Sequence, residues 1–550
     1  MKKIICILLC VCVLMAFPAA ASASGTIYYI DSISGDDSAN GTSASTAWKT
    51  VENLRGLSFE PGTQILFKKG GIYNCTCLEI TASGTKESPI VISSYGEGAK
   101  PVISPTGKND VLHLFDCSYI TVSGLEITAH EGGGIWIDTL RSESNGITLT
   151  DLTMHDMQNY KAISRDNLST PANARACVMV KSLPSRSRYA VNNLTVTDCE
   201  MFNVGNGISI WGSWNDEQNP WVKDEADIDP VFNQGVLVSG CYFHDMDAEA
   251  IIVGMCDGAV VTDCRCIDCC LNDGRNEDGT SFCNAAMWFW GSVNSTIRCC
   301  EIAGQKCLGD GMTCDFDSYT HHCTYEYIYS HDNVRFVNNC PMYSGHQGNC
   351  IRYCLSVNDN VMRSSLSQFD GSHEIGLRFY NNTIINPAEY VIEGVRDGYI
   401  ADNIFCGGFT ASFRSARKNV NDETGEKFIN EFTGTMKNNC FWGTCIPTCS
   451  EDNIICNPRF TGSDETNPDS YRLAEGSRLI GKGITTDCTG ETDIYGNEIT
   501  ASTNVGCYAG QGESNAQAQN PFSVLWKFIS TLLGRAYQFI VDCNNKYWLF

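Results

Sequence analysis

Four stretches of the chain, VTDCEMFNVGNGISIWG, VSGCYFHDMDAEAIIVG, IRCCEIAGQKCLGDGMTCD and IRYCLSVNDNVMRSS, repeat one pattern. Each is an alternating apolar run, a Cys, a second short run, a small or polar turn, then another strand-like run. Looser copies occur at ITVSGLEITAHEGGGIWI, ITLTDLTMHDMQNYKAI, FYNNTIINPAEYVI and IADNIFCGGF. Alignment puts Leu125, Leu152, Cys199, Cys241, Cys264, Cys300, Ile328, Cys354, Asn382 and Asn403 in one column, at spacings from 21 to 47 residues. A constant core with variable insertions is what a stacked β coil produces when loops grow from its turns. A solenoid lengthens by adding coils and needs no second core, so 550 residues do not imply several domains.

Composition narrows the partners. Lys and Arg total 38 against 63 Asp and Glu, a net charge of -25. No basic stripe is present, which argues against a nucleic-acid partner, because phosphate binding needs a positive footprint. The N-terminus reads as a signal peptide over residues 1–23. Lys2 and Lys3 form its positive region, Ile4 to Phe17 its apolar core, and Ala21-Ser22-Ala23 a small-residue cleavage site. The expected location is outside the cell or on its surface. Of 31 Cys, three lie in that segment. Export favours disulfides for the rest. The aligned column favours free thiols, because Cys there replaces Leu and Ile as a small buried hydrophobe. Cys264, Cys266, Cys269 and Cys270 also have zinc-like spacing, but they sit within a repeat strand.

Residues 24–105 form an opening unit with short strands around Ile27–Ile30, Gln64–Phe67, Leu78–Ile80 and Ile90–Ser93, and Thr46 to Leu54 is expected to form a short helix capping the coil. The run YYIDSISGDDSANGTSASTAWKTVENL, with PGTQILFKKGG and YGEGAKP, resembles the start of secreted bacterial right-handed parallel β-helix proteins of the pectate-lyase-like superfold. WFWGSVNSTIR and YEYIYSHDN are similar to its repeat units. NPRFTGSDETNPDSYRLAEGSRLIGKGITTDCTGETDIYGNEITASTNVGCYAG is similar to its last coils. The resemblance covers roughly residues 27–510. It implies an all-β right-handed parallel β-helix with an N-terminal cap, over residues 106–510 after the opening unit, and a secreted or surface location. It leaves the reaction open, because such proteins include lyases, hydrolases, esterases and non-catalytic adhesins.

Insertions at Ser164–Ala176, Ser213–Gln234, Asn272–Cys283 and Ala411–Met436 are expected to rise as walls beside one sheet and form a groove. Residues 511–550 read as a polar linker and an amphipathic helix from Phe522 to Val541, with Lys527 and Arg535 on its polar side. That helix suits a cap on the solenoid or contact with a membrane surface or cell envelope.

A second aligned column follows the first by seven to ten residues: Asn206, Glu249, Asn284, Asp310 and Arg335. If Glu249 and Asp310 stand two coils apart, their carboxylates lie roughly 9.5 Å apart, near the upper end of inverting glycosidase spacing. Acids before a small residue are also ordinary turn formers. Asp315 and Asp317, two apart, share a strand face, and with Asp310 they suit acid, base and helper roles or a Ca²⁺ site. His331 beside Asp332 suits a general base or acid, or another turn. Trp211, Trp214, Trp221, Trp288 and Trp290 cluster in the same coils, where Trp211, Trp288 and Trp290 are candidate sugar-stacking residues or simple cross-strand packing.

The motifs of polygalacturonase-like and pectate-lyase-like enzymes are absent or broken: Trp136-Ile137-Asp138 is followed by Thr139, where the lyase pattern has His. Lys306, Arg335, Arg352 and Arg363 are the central cations that could serve a lyase, and Arg363 is also a candidate substrate contact. The pattern points to a secreted carbohydrate-active enzyme cleaving a polysaccharide in a groove along the coil, with hydrolysis placed ahead of lyase chemistry. Its candidate catalytic residues are Glu249, Asp310, Asp315, Asp317, His331 and Arg335. Ca²⁺ is the one candidate cofactor, held by the Asp310, Asp315 and Asp317 carboxylates or serving lyase chemistry. A non-catalytic glycan-binding adhesin fits the same coils, and a metal- or redox-linked role fits the Cys-rich centre.

Overall fold

The computed structural model describes residues 25–107, 109–129, 132–157, 176–181, 188–212, 230–271, 284–308, 311–317, 319–337, 347–364, 374–387, 389–392, 395–407, 413–414, 416–420, 427–485, 490–500 and 503–514. The chain winds into a parallel β-helix whose coils each visit three sheets in turn. Sheet 1 has fifteen strands, from Ile27–Ile30 to Ser450–Glu451, and sheet 2 has thirteen, from Ile72–Cys75 to Cys440–Trp442. Sheet 3 comes in two blocks: seven strands from Leu78–Ile80 to Met287–Trp290, then five from Met312–Cys314 to Phe413–Arg414. Part of the Ala411–Met436 insertion forms an antiparallel hairpin, Ala416–Val420 with Lys427–Glu431. The expected helix over residues 46–54 is instead two single 3-10 turns, Ala44–Thr46 and Glu52–Leu54. The segment expected to form a C-terminal helix lies outside the described residues.

The repeat pattern follows from the corners. Where sheet 1 turns into sheet 2 the backbone takes a positive φ at Asp151, Asp198, Asp263, Cys299, Asn381 and Asp402. Asp and Asn tolerate that left-handed conformation better than other side chains. The next residue points inward, and it is the aligned Cys column. Within the coil, sheet 1 contributes Ile65, Ile92, Val122, Leu149, Val196, Val238, Val261, Ile297, Tyr325, Ile351, Phe379, Ile400 and Met436, all almost fully buried. Each Val, Leu or Ile so enclosed contributes about 1.5–3 kcal/mol.

The cysteine column is a thiol version of an asparagine ladder. Asn403 Nδ2 donates to Ala401 O (3.0 Å), two residues back, and to Phe379 O (2.9 Å) on the preceding rung. Cys354 Sγ makes the same two contacts, with Arg352 O at 3.2 Å and Tyr325 O at 3.9 Å. Cys199, Cys241, Cys264 and Cys300 likewise point at the carbonyl two residues back, at 3.0–3.5 Å. All four are buried free thiols.

Sheet 1 ends at Ser450–Glu451 and a last bridge joins Ile454 to Cys440; the described residues between 456 and 508 then run back along the outside as a strap, in place of the further coils expected there. Tyr471, Leu473, Leu479, Val505, Cys507 and Tyr508 cover the outer face of sheet 2 at Leu355, Val357, Ile385, Ile404, Cys406 and Trp442. Both faces of those late strands are therefore buried.

Candidate active site

Alternation along sheet 3 decides what faces outward. Met287, Phe289, Cys314 and Phe316 enter the core. Trp288, Trp290, Asp315 and Asp317 therefore face out. The bridge between Phe289 and Phe316 sets Trp288 beside Asp315 and Trp290 beside Asp317, one rung apart. Asp315 is buried and Asp317 half-buried. Two residues of extended chain separate their Cα atoms by roughly 6.6 Å.

Above this face lies a second apolar cluster, outside the coil: Met179, Trp211, Ile252, Met255, Trp290 and Tyr319, with the half-buried Trp136 and Trp288 packed against it. Trp211 meets Trp290 edge to face at 5.2 Å and Trp288 at 6.2 Å. Gly254 makes this possible, because a Cβ there would lie 2.9 Å from the Trp211 ring. Trp290 is fully buried and Trp211 is 8% exposed. Of the three candidate stacking residues, only Trp288 keeps a half-open indole. The other two form a packed wall.

Glu249 stands just before the Ile251–Gly254 strand and is 7% exposed. Backbone hydrogen bonds join the successive turns: Gly207 N donates to Glu249 O, Ala250 N to Ala286 O, Gly311 N to Asn284 O, and Arg335 N to Gly311 O. Asp310 lies outside the described residues, as does the Arg363 side chain. Two rungs and three residues of offset put Glu249 and Asp315 about 14 Å apart at Cα. Glu249 therefore borders the Asp315/Asp317 pair rather than completing it. Arg335 donates from Nη2 to Leu308 O at 3.0 Å, tying the turn that leads to the acids.

His331 is elsewhere. It faces outward on sheet 2, stacked on Tyr329 at 4.5 Å, with Nδ1 2.9 Å from Asp332 and Nε2 3.4 Å from Glu301. Burial alone would lower its pKa, but the bonds to Glu301 and Asp332 raise it. The His331 bond, with help from Arg265, holds the Glu301 carboxyl at about 2 despite its partial burial. The same His-Asp corner recurs at His155-Asp156 and His244-Asp245, each Asp at a positive φ. Turn formation accounts for all three.

Sequence reasoning missed three residues that the fold brings into play. Lys181 is fully buried at the end of its sheet 3 strand, its amine pushed down to about 8 by burial, and it donates to Tyr189 O. Asp138, its neighbour on the preceding rung, is raised by burial. Tyr325, from sheet 1, reaches Asp315 through the interior. Among the described residues no group of three or more His, Cys, Asp or Glu is placed to hold a metal ion, the Cys264–Cys270 segment included.

No protein-family model matches the chain. It is 25% identical over 454 residues to a lacto-N-biosidase of Bifidobacterium longum subsp. longum, an alignment covering 68% of this chain and 28% of the relative. The chain thus spans under a third of the length of that curated relative. Among solved structures, a GH136 lacto-N-biosidase from Eubacterium ramulus is 20% identical with a TM-score of 0.46, covering 68% of this chain and 63% of that one. The structure of XylC with xylose is 10% identical with a TM-score of 0.53, covering 89% and 99%. This last likeness concerns the fold, and it agrees with the strand order: the chain is an all-β parallel β-helix.

Proposed function

We propose that the protein is an exported glycoside hydrolase that cleaves a lacto-N-biose-containing oligosaccharide, with Asp315 and Asp317 as its reacting carboxylates. One observation carries the reading: two acids share the outer face of sheet 3, each beside a tryptophan, at the edge of a packed wall that leaves Asp315 buried and Asp317 half-buried. Glycoside cleavage needs such a pair, one carboxyl to protonate the leaving oxygen and one to act as base or nucleophile. The enclosure strengthens their interaction with developing charge. Trp288 offers the half-open apolar surface on which a sugar ring rests. The lacto-N-biosidase likeness supports the substrate class, and the N-terminal segment supports export.

The test is release of p-nitrophenol from a p-nitrophenyl lacto-N-bioside, beside a panel of oligosaccharides and plant and host polysaccharides, with and without chelator. Asp315→Asn and Asp317→Asn should each lower kcat by about 10²–10⁴-fold at near-native stability. An unsaturated, ultraviolet-absorbing product would instead indicate a lyase. Binding without any turnover would indicate an adhesin.

A further inference from the structure

On the thirteen rungs from Ile65 to Met436, the interior column of sheet 1 is aliphatic, Phe or Met at all but one. That rung carries Tyr325, fully buried, and its hydroxyl needs a hydrogen-bond partner there. It finds one across the lumen, in sheet 3. Phe289 N donates to Asp315 O (3.2 Å) and Asp317 N donates to Phe289 O (2.9 Å), a regular parallel pairing. The regular continuation of that ladder is Asp315 N donating to Met287 O. The Tyr325 oxygen instead lies between the two groups: it accepts from Asp315 N (3.2 Å) and stands 2.9 Å from Met287 O and 3.0 Å from Asp315 O, to which its proton is directed. The Phe289 and Phe316 rings, 6.0 Å apart and nearly parallel, each meet the Tyr325 ring at 5.2 Å and clamp it in place. This insertion coincides with the point where sheet 3 divides into its two blocks, joined there only by the Phe289–Phe316 bridge among the described residues.

We infer that Tyr325 is a positioning residue: its hydroxyl, inserted into the rung between Met287 and Asp315, holds the strand slightly open and so sets where the Asp315 and Asp317 carboxylates point. The inference rests on the reading of those acids as the reacting pair. Removing the hydroxyl leaves two outcomes for the backbone. The Asp315 N–H and Met287 C=O remain buried without partners, or the ladder closes on itself and carries Asp315 with it. Either moves an acid whose placement matters to a fraction of an ångström. Thr313 supports the same strand, its Oγ1 2.7 Å from Ser330 Oγ and 3.2 Å from Asn333 Nδ2.

Tyr325→Phe in the full chain is the test, since Phe already occupies this column at position 379 and keeps the ring contacts. Tyr325→Met, matching Met436, is the second variant should the first fold poorly. Ile297→Val, one rung away, is the control for simple core loosening. In the Tyr325 variants kcat on the p-nitrophenyl lacto-N-bioside should fall at least tenfold with KM within twofold. Hydrogen exchange of the 312–317 peptide should quicken at least tenfold, and the Ile297 variant should show neither change. Unchanged exchange, or unchanged kcat in an active enzyme, overturns the inference. If the wild-type chain is inactive on every glycan, the hydrolase reading falls, and exchange at 312–317 alone decides whether Tyr325 holds that strand.

Discussion

Asp359 is the buried residue with the plainest consequence for stability. It is 1% exposed inside the coil, where Ser330 Oγ, Ser356 Oγ and the Asn333 N–H and Nδ2 all donate to it at 2.6–3.0 Å. Burial nevertheless wins over those bonds and raises its pKa from 3.8 to about 6. The folded chain therefore holds this proton more tightly than the unfolded chain. The stabilisation is complete below about pH 3.8 and is lost as pH rises through about 6, a change on the order of 3 kcal/mol. Asp359→Asn has no charge to bury. Urea denaturation across pH should give equal stabilities near pH 4 and a variant more stable by about 1–3 kcal/mol at pH 7.5. His331, whose pKa is also raised, titrates in the same direction in both proteins, so their difference isolates Asp359. A variant less stable than the wild type at pH 7.5 would mean that the carboxylate's hydrogen bonds outweigh its desolvation.

The strap is an element whose attachment can be tested at one residue. Asp402 stands at a corner with φ of 58°, and its Oδ2 accepts from Ile484 N, Thr485 N and Thr485 Oγ1 at 2.6–2.8 Å. Its Oδ1 accepts from Asn438 Nδ2 at 2.6 Å. Asp402→Asn tolerates the same corner, but its amide must turn an N–H group toward one of these donor sets. The expected cost is about 1–3 kcal/mol, concentrated where the strap docks. Limited proteolysis should then cut within residues 456–514 while the coils stay intact; cleavage spread evenly along the chain would refute a local lock. This element was not legible in the sequence, because strap and coil share turn chemistry and only pairing partners tell them apart. The coils themselves were legible because the αL corners favour Asp, Asn or Gly just before an inward residue, with Cys299, Tyr327 and Tyr353 as exceptions. The same chemistry sets His331 beside Asp332: a His-Asp step is also how this coil turns. The shared face of Asp315 and Asp317 was legible from their two-residue spacing, whereas the place of Tyr325 was not, since it depends on a strand 38 residues back that only the fold brings near.

At the scale of the molecule, the cysteines report on cooperativity. Of the 24 described, only Cys299 is exposed and only Cys77 and Cys449 are half-buried, which leaves 21 inside the coil or under the strap. A thiol must be reachable and ionised to react, and burial opposes both: Cys117 and Cys323 are pushed up to about 12. In a stack where each coil contacts only its neighbours, protection lasts as long as the neighbours hold. Alkylation of the native protein at pH 8 should therefore label Cys299 first, then Cys77 and Cys449, with peptide mass spectrometry finding Cys199, Cys241, Cys264 and Cys300 unmodified. In rising urea those four should become reactive together, because they occupy successive rungs of one column and each covers the next. Stepwise labelling along the column would show coils that open independently. Failure to label them even in full denaturant, reversed by a reductant, would show that adjacent rungs are joined by disulfides. That outcome would replace the thiol ladder with a covalent one, and the export expected from the N-terminal segment makes it the rival arrangement to exclude.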